Sequence, residues 1–350
     1  MKKFLITGGV GFIGSHTSFS LLSKGYKLVV IDSLINSSRE SLDNFIQLVK
    51  IKNPEYLANF NFFNCDIRDK KKLEEIFKIS SESDEPIEGV FHFAGLKSVN
   101  ESVNEPLNYW DVNVFGSISL LGIMKKYGCK TIIFSSSATV YGINTNLRIS
   151  EKNKINPSNP YGHTKVAIEN LLLNLNLAEP KEWKIGILRY FNPIGAHKDG
   201  FIGENPSNSP NNIFPIITRV SCGLINELKI YGNNWETFDG TCIRDFIHVM
   251  DVAEGHIKTL DYLLNNDPQL LCLNLGTGIG TSVLELVEIF KRVNKVKLPY
   301  RFAAKREGDV PVLVADNSRA KTILNWEPKF TLEEMCRDGW AWQKQKTGNN

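Results

Sequence analysis

A short glycine-rich stretch near the start limits the fold more than any other part of the chain. Gly9-Val10-Gly11-Phe12-Ile13-Gly14, preceded by Gly8, follows the apolar run Lys3–Thr7 and opens a segment of helical spacing that ends at Gly25. G-x-G-x-x-G alone is a weak signal, but between a strand and a helix each glycine acquires a mechanical task. The first permits a tight turn, the second lets backbone approach a pyrophosphate, and the third lets helix and strand pack closely. Free N–H groups and the dipole at the helix start favour phosphate charge. The second strand, Lys27–Ile31, ends in Asp32, 18 residues past Gly14. That is close to the roughly 20 expected for an acid that bonds ribose hydroxyls. An acid there repels a 2′-phosphate, so the pattern favours NAD over NADP. Arg39 reads as a solvated helix residue.

Short β-branched or aromatic runs then alternate with longer amphipathic stretches. The strands expected are Phe4–Thr7, Lys27–Ile31, Asn61–Cys65, Gly89–Phe93, Thr131–Ser135, Ile185–Arg189 and Cys272–Leu275, with helices over Ser15–Lys24, Leu107–Tyr127 and Tyr161–Leu175 between them. The strands are mostly continuous apolar runs, as in sheets covered on both faces. The pattern predicts an α/β protein: a doubly wound parallel sheet of Rossmann type with a smaller, discontinuous α/β substrate domain. After Tyr190 the chain becomes rich in Asn, Pro and Gly. The expected division is residues 1–190, with a returning strand segment near 246–276, against 191–245 and 277–350.

Composition excludes several other classes. With 42% hydrophobic and 23% charged residues and a net charge of +3, the 350-residue chain is neither disordered nor a nucleic-acid binder. The run Arg68–Lys72 reads as a solvated helix start. Six cysteines are scattered without C-x-x-C or His/Cys ligand spacing, so neither metal nor disulfide is expected and reduced thiols are. The apolar run after Lys2-Lys3 stops at Thr7, and nothing approaches the ~18 apolar residues of a membrane span. A soluble cytoplasmic protein is the expectation.

Pro160-Tyr161-Gly162-His163-Thr164-Lys165 begins a segment of helical spacing, with Ser158 or Asn159 as candidate cap and Pro160 suited to the first turn. Residues four apart share a helix face, so the phenol and the ammonium can address one small molecule. A free tyrosine, with a pKa of about 10, is a poor base at neutral pH. A nearby Lys⁺, a positive nicotinamide ring and the helix start would each lower it, so a phenolate near pH 7 is expected. Tyr-x-x-x-Lys is nearly uninformative alone. Its weight comes from following Ser135-Ser136-Ser137-Ala138-Thr139 at the end of a strand, where doubly wound sheets bind ligands.

Thr7–Gly14, Ser135–Thr139 and Tyr161–Lys165 together resemble the extended short-chain dehydrogenase/reductases. More narrowly, the chain resembles the UDP-glucose (UDP-galactose) 4-epimerase family, through Gly11-Phe12-Ile13-Gly14-Ser15-His16, His92-Phe93-Ala94-Gly95-Leu96-Lys97, Arg189-Tyr190-Phe191-Asn192-Pro193, Arg244-Asp245-Phe246-Ile247-His248-Val249 and Arg306-Glu307-Gly308-Asp309. The resemblance implies tightly held NAD that is recycled within one turnover. A base removes the 4-hydroxyl proton as C4 gives up its hydride; the 4-keto sugar turns over and the hydride returns to its other face. It implies Tyr161 as that base, Lys165 lowering its pKa and holding the ribose, and Ser137 on the 4-oxygen.

For the cofactor the resemblance implies Gly8, Gly11, Phe12, Ile13, Gly14, Asp32, Asn36, Ser37, Asp66, Ile67, Phe93, Ala94, Lys97, Asn113 and Phe191, besides the catalytic residues. For UDP-sugar it implies Asn192, Asn212, Tyr231, Arg244, Arg306, Asp309 and Leu313. Val112 takes no polar role, and Leu313 stands where some members carry tyrosine. The family also implies a homodimer formed by two helices of the first domain, Leu107–Tyr127 and Tyr161–Leu175 being the candidates. A 4,6-dehydratase needs an acidic pair in the serine strand, where this chain has Ala138-Thr139. A 4-ketoreductase would exchange NADPH, against the sense of Asp32. A non-catalytic dinucleotide-binding regulator tends to lose the tyrosine or lysine, and both are present here.

Overall fold

The computed structural model describes residues 1–143, 148–206, 210, 212–306 and 309–348. Its centre is a seven-stranded parallel sheet built from β1 (Lys3–Thr7), β2 (Lys27–Asp32), β3 (Phe60–Asn64), β4 (Ile87–His92), β5 (Thr131–Ser137), β6 (Lys184–Tyr190) and, much later in the chain, Leu270–Leu275. The late strand lies at one edge beside β6, and the order continues through β5, β4, β1 and β2 to β3. The order reverses between β1 and β4, which opens a crevice at their carboxyl ends. Alternate side chains feed two cores. Phe4, Ile6, Val30 and Leu188 enter one face, while Leu5, Val29, Ile31 and Ile187 enter the other. This two-sided burial explains why the strands read as unbroken apolar runs.

The helix Phe12–Ser23 is buried despite its serines and threonines. Ser15, Thr17, Ser20 and Ser23 each donate to a carbonyl three or four residues back. Their hydroxyls are thus satisfied within the helix, which packs against the helix Val249–Asn265.

The remaining strands are short: β7 (Asn192–Ile194), β8 (Leu228–Tyr231), β9 (Ile243–Arg244), β10 (Phe246–His248), then β11 (Leu270–Leu275, the edge strand above), β12 (Thr281–Ser282), β13 (Tyr300–Ala303) and β14 (Val312–Leu313). A separate core joins Ile194, Phe214, Ile217, Leu228, Ile230, Leu286, Phe290 and Met335. Ala320, Leu324 and Trp326 instead join the first core, so the chain crosses back to the large sheet a second time after residue 277.

One expected helix is composite. Leu107–Tyr127 divides into an α-helix Pro106–Tyr109, a π-helical segment Trp110–Phe115 and an α-helix Gly116–Lys126. The helix Lys70–Glu82 starts as anticipated, with the Asp69 carboxylate accepting from the Lys72 N–H.

Candidate active site

A cleft of about 1220 Å³ runs from the glycine turn across the strand ends to the smaller core. This exceeds the ~300–1,000 Å³ typical of a single-ligand pocket, so a dinucleotide and a second ligand can share it.

The G-x-G-x-x-G string puts the first glycine at Gly9 and the family resemblance puts it at Gly8; the backbone agrees with Gly8. Gly8, at φ +67°, makes the turn and lines the cleft; a Cβ there would lie 2.7 Å from the Ala94 backbone nitrogen. Gly9 is packed against Val30 and Ile6 instead. The functional spacing is therefore Gly8, Gly11, Gly14. A Cβ on Gly14 would sit 2.2 Å from the Gly8 carbonyl oxygen, so only glycine lets this helix approach its strand. Gly11 caps the helix Phe12–Ser23 without a side chain, which leaves first-turn N–H groups for an anion. Gly14→Ala is expected to cost on the order of 3 kcal/mol and to yield protein without bound dinucleotide. Nucleotide content after denaturation, together with the melting temperature, checks this; retention of cofactor at parental level would contradict it.

Asp32 is fixed from three sides. Its carboxylate accepts from the Val10 N–H (3.1 Å), the Leu34 N–H (2.9 Å) and the Ser37 hydroxyl (2.8 Å). A ribose diol is a natural further donor. Arg39 pairs with Asp43 on the solvent face of the amphipathic helix Arg39–Lys52 and is not among the residues that line the cleft. Asn36, Ser37, Asp66, Ile67, Phe93, Ala94, Lys97 and Phe191 all line the cleft. Asp66 is held by Arg68, whose guanidinium keeps its carboxyl below the usual range. The uncapped helix start, the glycine cradle and the anchored acid fit a dinucleotide.

Asn113 stands behind the wall rather than on it. It is buried, with its amide accepting from Leu96 N–H (2.8 Å) and donating to Leu96 carbonyl (3.1 Å) and Thr164 hydroxyl (3.0 Å). It therefore positions the Gly95–Lys97 turn. His92 lies beneath, between the Thr7 hydroxyl (2.7 Å) and the Ser117 hydroxyl (2.8 Å). Burial pushes its pKa down to about 3, so it is a neutral brace. The motif string around Phe93 contained His92 without revealing this role.

Tyr161, Lys165 and Ser137 meet in the middle of the cleft. Asn159 caps the helix Pro160–Ala178 by accepting from the Gly162 N–H at 2.9 Å, with Pro160 in the first turn. Lys165 donates to the Ser135 carbonyl (2.7 Å), its ammonium 5.8 Å from the centre of the Tyr161 ring. Burial pushes Tyr161 up to about 12, against a lowering hydrogen bond from Ser137. Burial also drives Lys165 down to about 8, while Glu169 raises it. The protein's own groups thus leave the phenol above its ordinary value, and the expected phenolate near pH 7 counts on the positive nicotinamide ring as well. Desolvation outweighs the Ser137 hydrogen bond, and the Lys165 ammonium is committed to the Ser135 carbonyl. Of the three influences expected, the helix start is in place beneath Tyr161, and the positive nicotinamide ring would come with the bound cofactor.

The other half of the cleft carries Asn192, Asn212, Tyr231, Arg244, Arg306, Asp309 and Leu313. Arg244 is aimed by the carbonyls of Ile243 (2.9 Å) and Val310 (2.8 Å) and pairs with Asp309 at 3.5 Å. The Arg306 guanidinium lies 3.7 Å from the centre of the Tyr231 ring. The Asn192 Oδ1 is buried without a partner among the described residues, as expected where a ligand supplies the donor. Within the string that marked Arg306 and Asp309, Glu307 and Gly308 lie outside the described residues. Sequence reasoning gave no role to Asp245, which accepts from Thr277, Gly278 and Ala315 N–H groups and so ties the link between β9 and β10 to two loops. It also missed Glu204, which borders the cleft from an aperiodic stretch.

The glycine turn with the anchored Asp32, the arginines Arg244 and Arg306, and the Tyr161, Lys165 and Ser137 set thus share one cleft. The family described as GDP-mannose 4,6 dehydratase matches residues 5–339. A UDP-glucose 4-epimerase of Bacillus subtilis (strain 168) is 45% identical over 339 residues, spanning 97% of this chain and 96% of its own. The chain belongs to the UDP-glucose 4-epimerase family. Solved members superpose closely. The Stenotrophomonas maltophila enzyme, with bound NAD and formylated UDP-arabinopyranose, is 40% identical with a TM-score of 0.92, covering 100% of both chains. The Bifidobacterium longum enzyme, in complex with NAD+ and UDP, is 38% identical with a TM-score of 0.91 and the same coverage. The broader family name does not make this chain a dehydratase, since Ala138 and Thr139 stand where that chemistry needs acids. This epimerase fold places the serine strand end, β5, beside β4 and β6.

Proposed function

We propose that the protein interconverts UDP-glucose and UDP-galactose with bound NAD, as an isomerase. The observation that carries this reading is the placement of Tyr161, Lys165 and Ser137 where the two halves of one cleft meet. Gly8, Gly11, Gly14, Asp32, Lys97 and the apolar wall of Ile67, Phe93 and Ala94 would hold the dinucleotide, which supplies a reversible hydride acceptor. Tyr161 takes the proton of the sugar 4-hydroxyl and returns it, and Ser137 holds that oxygen. Lys165 fixes the strand end through Ser135 and adds positive charge beside the phenol.

Arg244 and Arg306 would fork onto the diphosphate, and Asn192 and Asn212 onto the nucleotide's polar edges. The hexose then meets Leu313 and Phe191, side chains that offer it no directional bonds. Such a wall lets the sugar turn while the diphosphate stays fixed, as return to the opposite face requires. Incubation with UDP-glucose or UDP-galactose, with products resolved, tests the reading.

Leu313 sets the proposed substrate range. It packs half-buried beside Tyr141, Ile149 and Ala315 while bordering the cleft. Leucine is smaller than tyrosine, so a C2 N-acetyl group gains room, and packed sites yield little to an oversized group. UDP-N-acetylglucosamine and UDP-N-acetylgalactosamine are therefore proposed as additional substrates. Leu313→Tyr is expected to remove that activity selectively, at least tenfold, leaving the unacetylated pair within threefold. A parent enzyme inert on N-acetyl substrates would contradict this.

We also propose a homodimer. Leu107, Trp110, Phe115, Ile118, Leu173 and Leu177 leave apolar surface exposed on two neighbouring helical stretches, and self-association would cover it. Sedimentation should show a dimer that Ile118→Glu converts to monomer; a monomeric parent would refute it. All six cysteines are free and four are buried, and among the described residues no helix is long and apolar enough to cross a membrane. Unpaired thiols suit the reducing cytoplasm, which is the proposed location.

A further inference from the structure

Glu204 lies between the two halves of the cleft and belongs to neither set of expected contacts. Its Oε1 accepts from the Lys97 ammonium at 2.7 Å and from the Asn212 amide at 3.0 Å. Lys97 follows β4 in the large domain, while Asn212 caps the helix Ile213–Ser221 of the smaller core. A single oxygen thus fixes one donor from each side. Glu204 itself is only 7% exposed, whereas the Lys97 side chain is half exposed. A buried carboxylate is costly unless paired and hydrogen-bonded, and these two donors are what it has been given.

The backbone that presents Glu204 is pinned. The His197 ring packs edge-on to Phe19 at 4.9 Å, and Lys52 pairs with Asp199. Ile202 is buried in the large core, and Ala196 bridges to Gly203. A Cβ on Gly203 would lie 2.5 Å from the Trp342 indole, so the step before Glu204 is wedged beneath that ring. A carboxylate held this firmly can orient flexible partners at little entropic cost.

We propose that Glu204 is a positioning residue that aims Lys97 at the dinucleotide and Asn212 at the nucleotide sugar, so that filling one half of the cleft favours filling the other. The inference rests on the proposed assignment of Lys97 to NAD and Asn212 to UDP. Linkage makes the coupling reciprocal: whatever NAD does for UDP affinity, UDP does for NAD retention.

The test compares purified holoenzyme with Glu204→Ala and Glu204→Gln, reading UDP affinity by calorimetry, the rate of NAD release, KM, kcat and melting temperature. Glu204→Ala should weaken UDP about tenfold, as for one lost hydrogen bond to a positioned group, and should release NAD about tenfold faster. Its KM should rise while kcat at saturation stays within threefold. Glu204→Gln keeps an acceptor oxygen for Asn212 but loses the charge. It should hold UDP within threefold of the parent while still releasing NAD faster.

A lowered melting temperature in Glu204→Ala with unchanged UDP affinity and NAD release would overturn the proposal. Should Glu204→Ala fail to fold, the split shown by Glu204→Gln decides, and equal losses of both ligands would overturn it. Lys97→Met and Asn212→Ala separate the two levels. If they lower NAD retention and UDP affinity respectively while the Glu204 variants do not, the inference fails and the site reading stands. If neither changes its ligand, the site reading itself is overturned.

Discussion

Tyr161→Phe is expected to lower turnover of UDP-glucose by at least about 10²–10⁴, the usual loss for a positioned acid/base, with UDP affinity kept within a few-fold. The phenol oxygen is the group that meets the Ser137 hydroxyl at the junction of the two half-sites. Phenylalanine preserves the ring beside Lys165 and removes only that oxygen. Stability should change little at pH 7, because a tyrosine raised to about 12 is neutral there in both folded and unfolded chains. Near-parental turnover by the variant would show that another group moves the proton.

Lys165→Met should abolish activity and yet make the fold more resistant to heat at neutral pH. Burial lowers the lysine from 10.5 to about 8, so between those values the unfolded chain binds more protons than the folded one. Stability therefore rises with pH across that window, and below pH 8 the folded chain carries the full cost of a desolvated cation. That cost is about 3 kcal/mol at 1.36 kcal/mol per pKa unit. Loss of the bond to the Ser135 carbonyl offsets about 1–2 kcal/mol of the gain. A net advantage on the order of 1–2 kcal/mol is expected at pH 7, shrinking as pH rises through 8, gone between about pH 9 and 10, and reversed by 10.5.

Urea midpoints of cofactor-stripped proteins at several pH values measure this, since bound ligand would itself shift stability. A variant less stable at pH 7, with a difference that does not change with pH, would contradict it. The opposition between stability and activity at one residue is what a functional buried charge produces.

Much of this was legible in the sequence because it is local. The strand, glycine turn and helix from Lys3 to Ser23, the acid at the end of β2, and the capped helix carrying Tyr161 and Lys165 each occupy one short window with its own periodicity. What escaped depends on contacts across the chain. The motif string does not tell Gly9 from Gly8, and the approach of Ala94 is what makes Gly8 the turn residue. The π-helical segment Trp110–Phe115 has no compositional mark; its wider turn presents Asn113 to both backbone groups of Leu96, a use typical of such segments near sites. Glu204 sits in an Asn/Pro/Gly-rich stretch with no repeat to betray its burial. The desolvation that pushes the Tyr161 phenol up is invisible in a sequence, which displays neighbouring charges but not burial.

Purified protein should be incubated with UDP-galactose alone, with no nicotinamide cofactor added, and the products resolved over time. Conversion to an equilibrium mixture with UDP-glucose is expected, with no net change in reduced cofactor and with NAD released from the protein on denaturation. Absence of conversion until NADPH is supplied, with stoichiometric consumption of it, would contradict the central claim and make the chain a reductase.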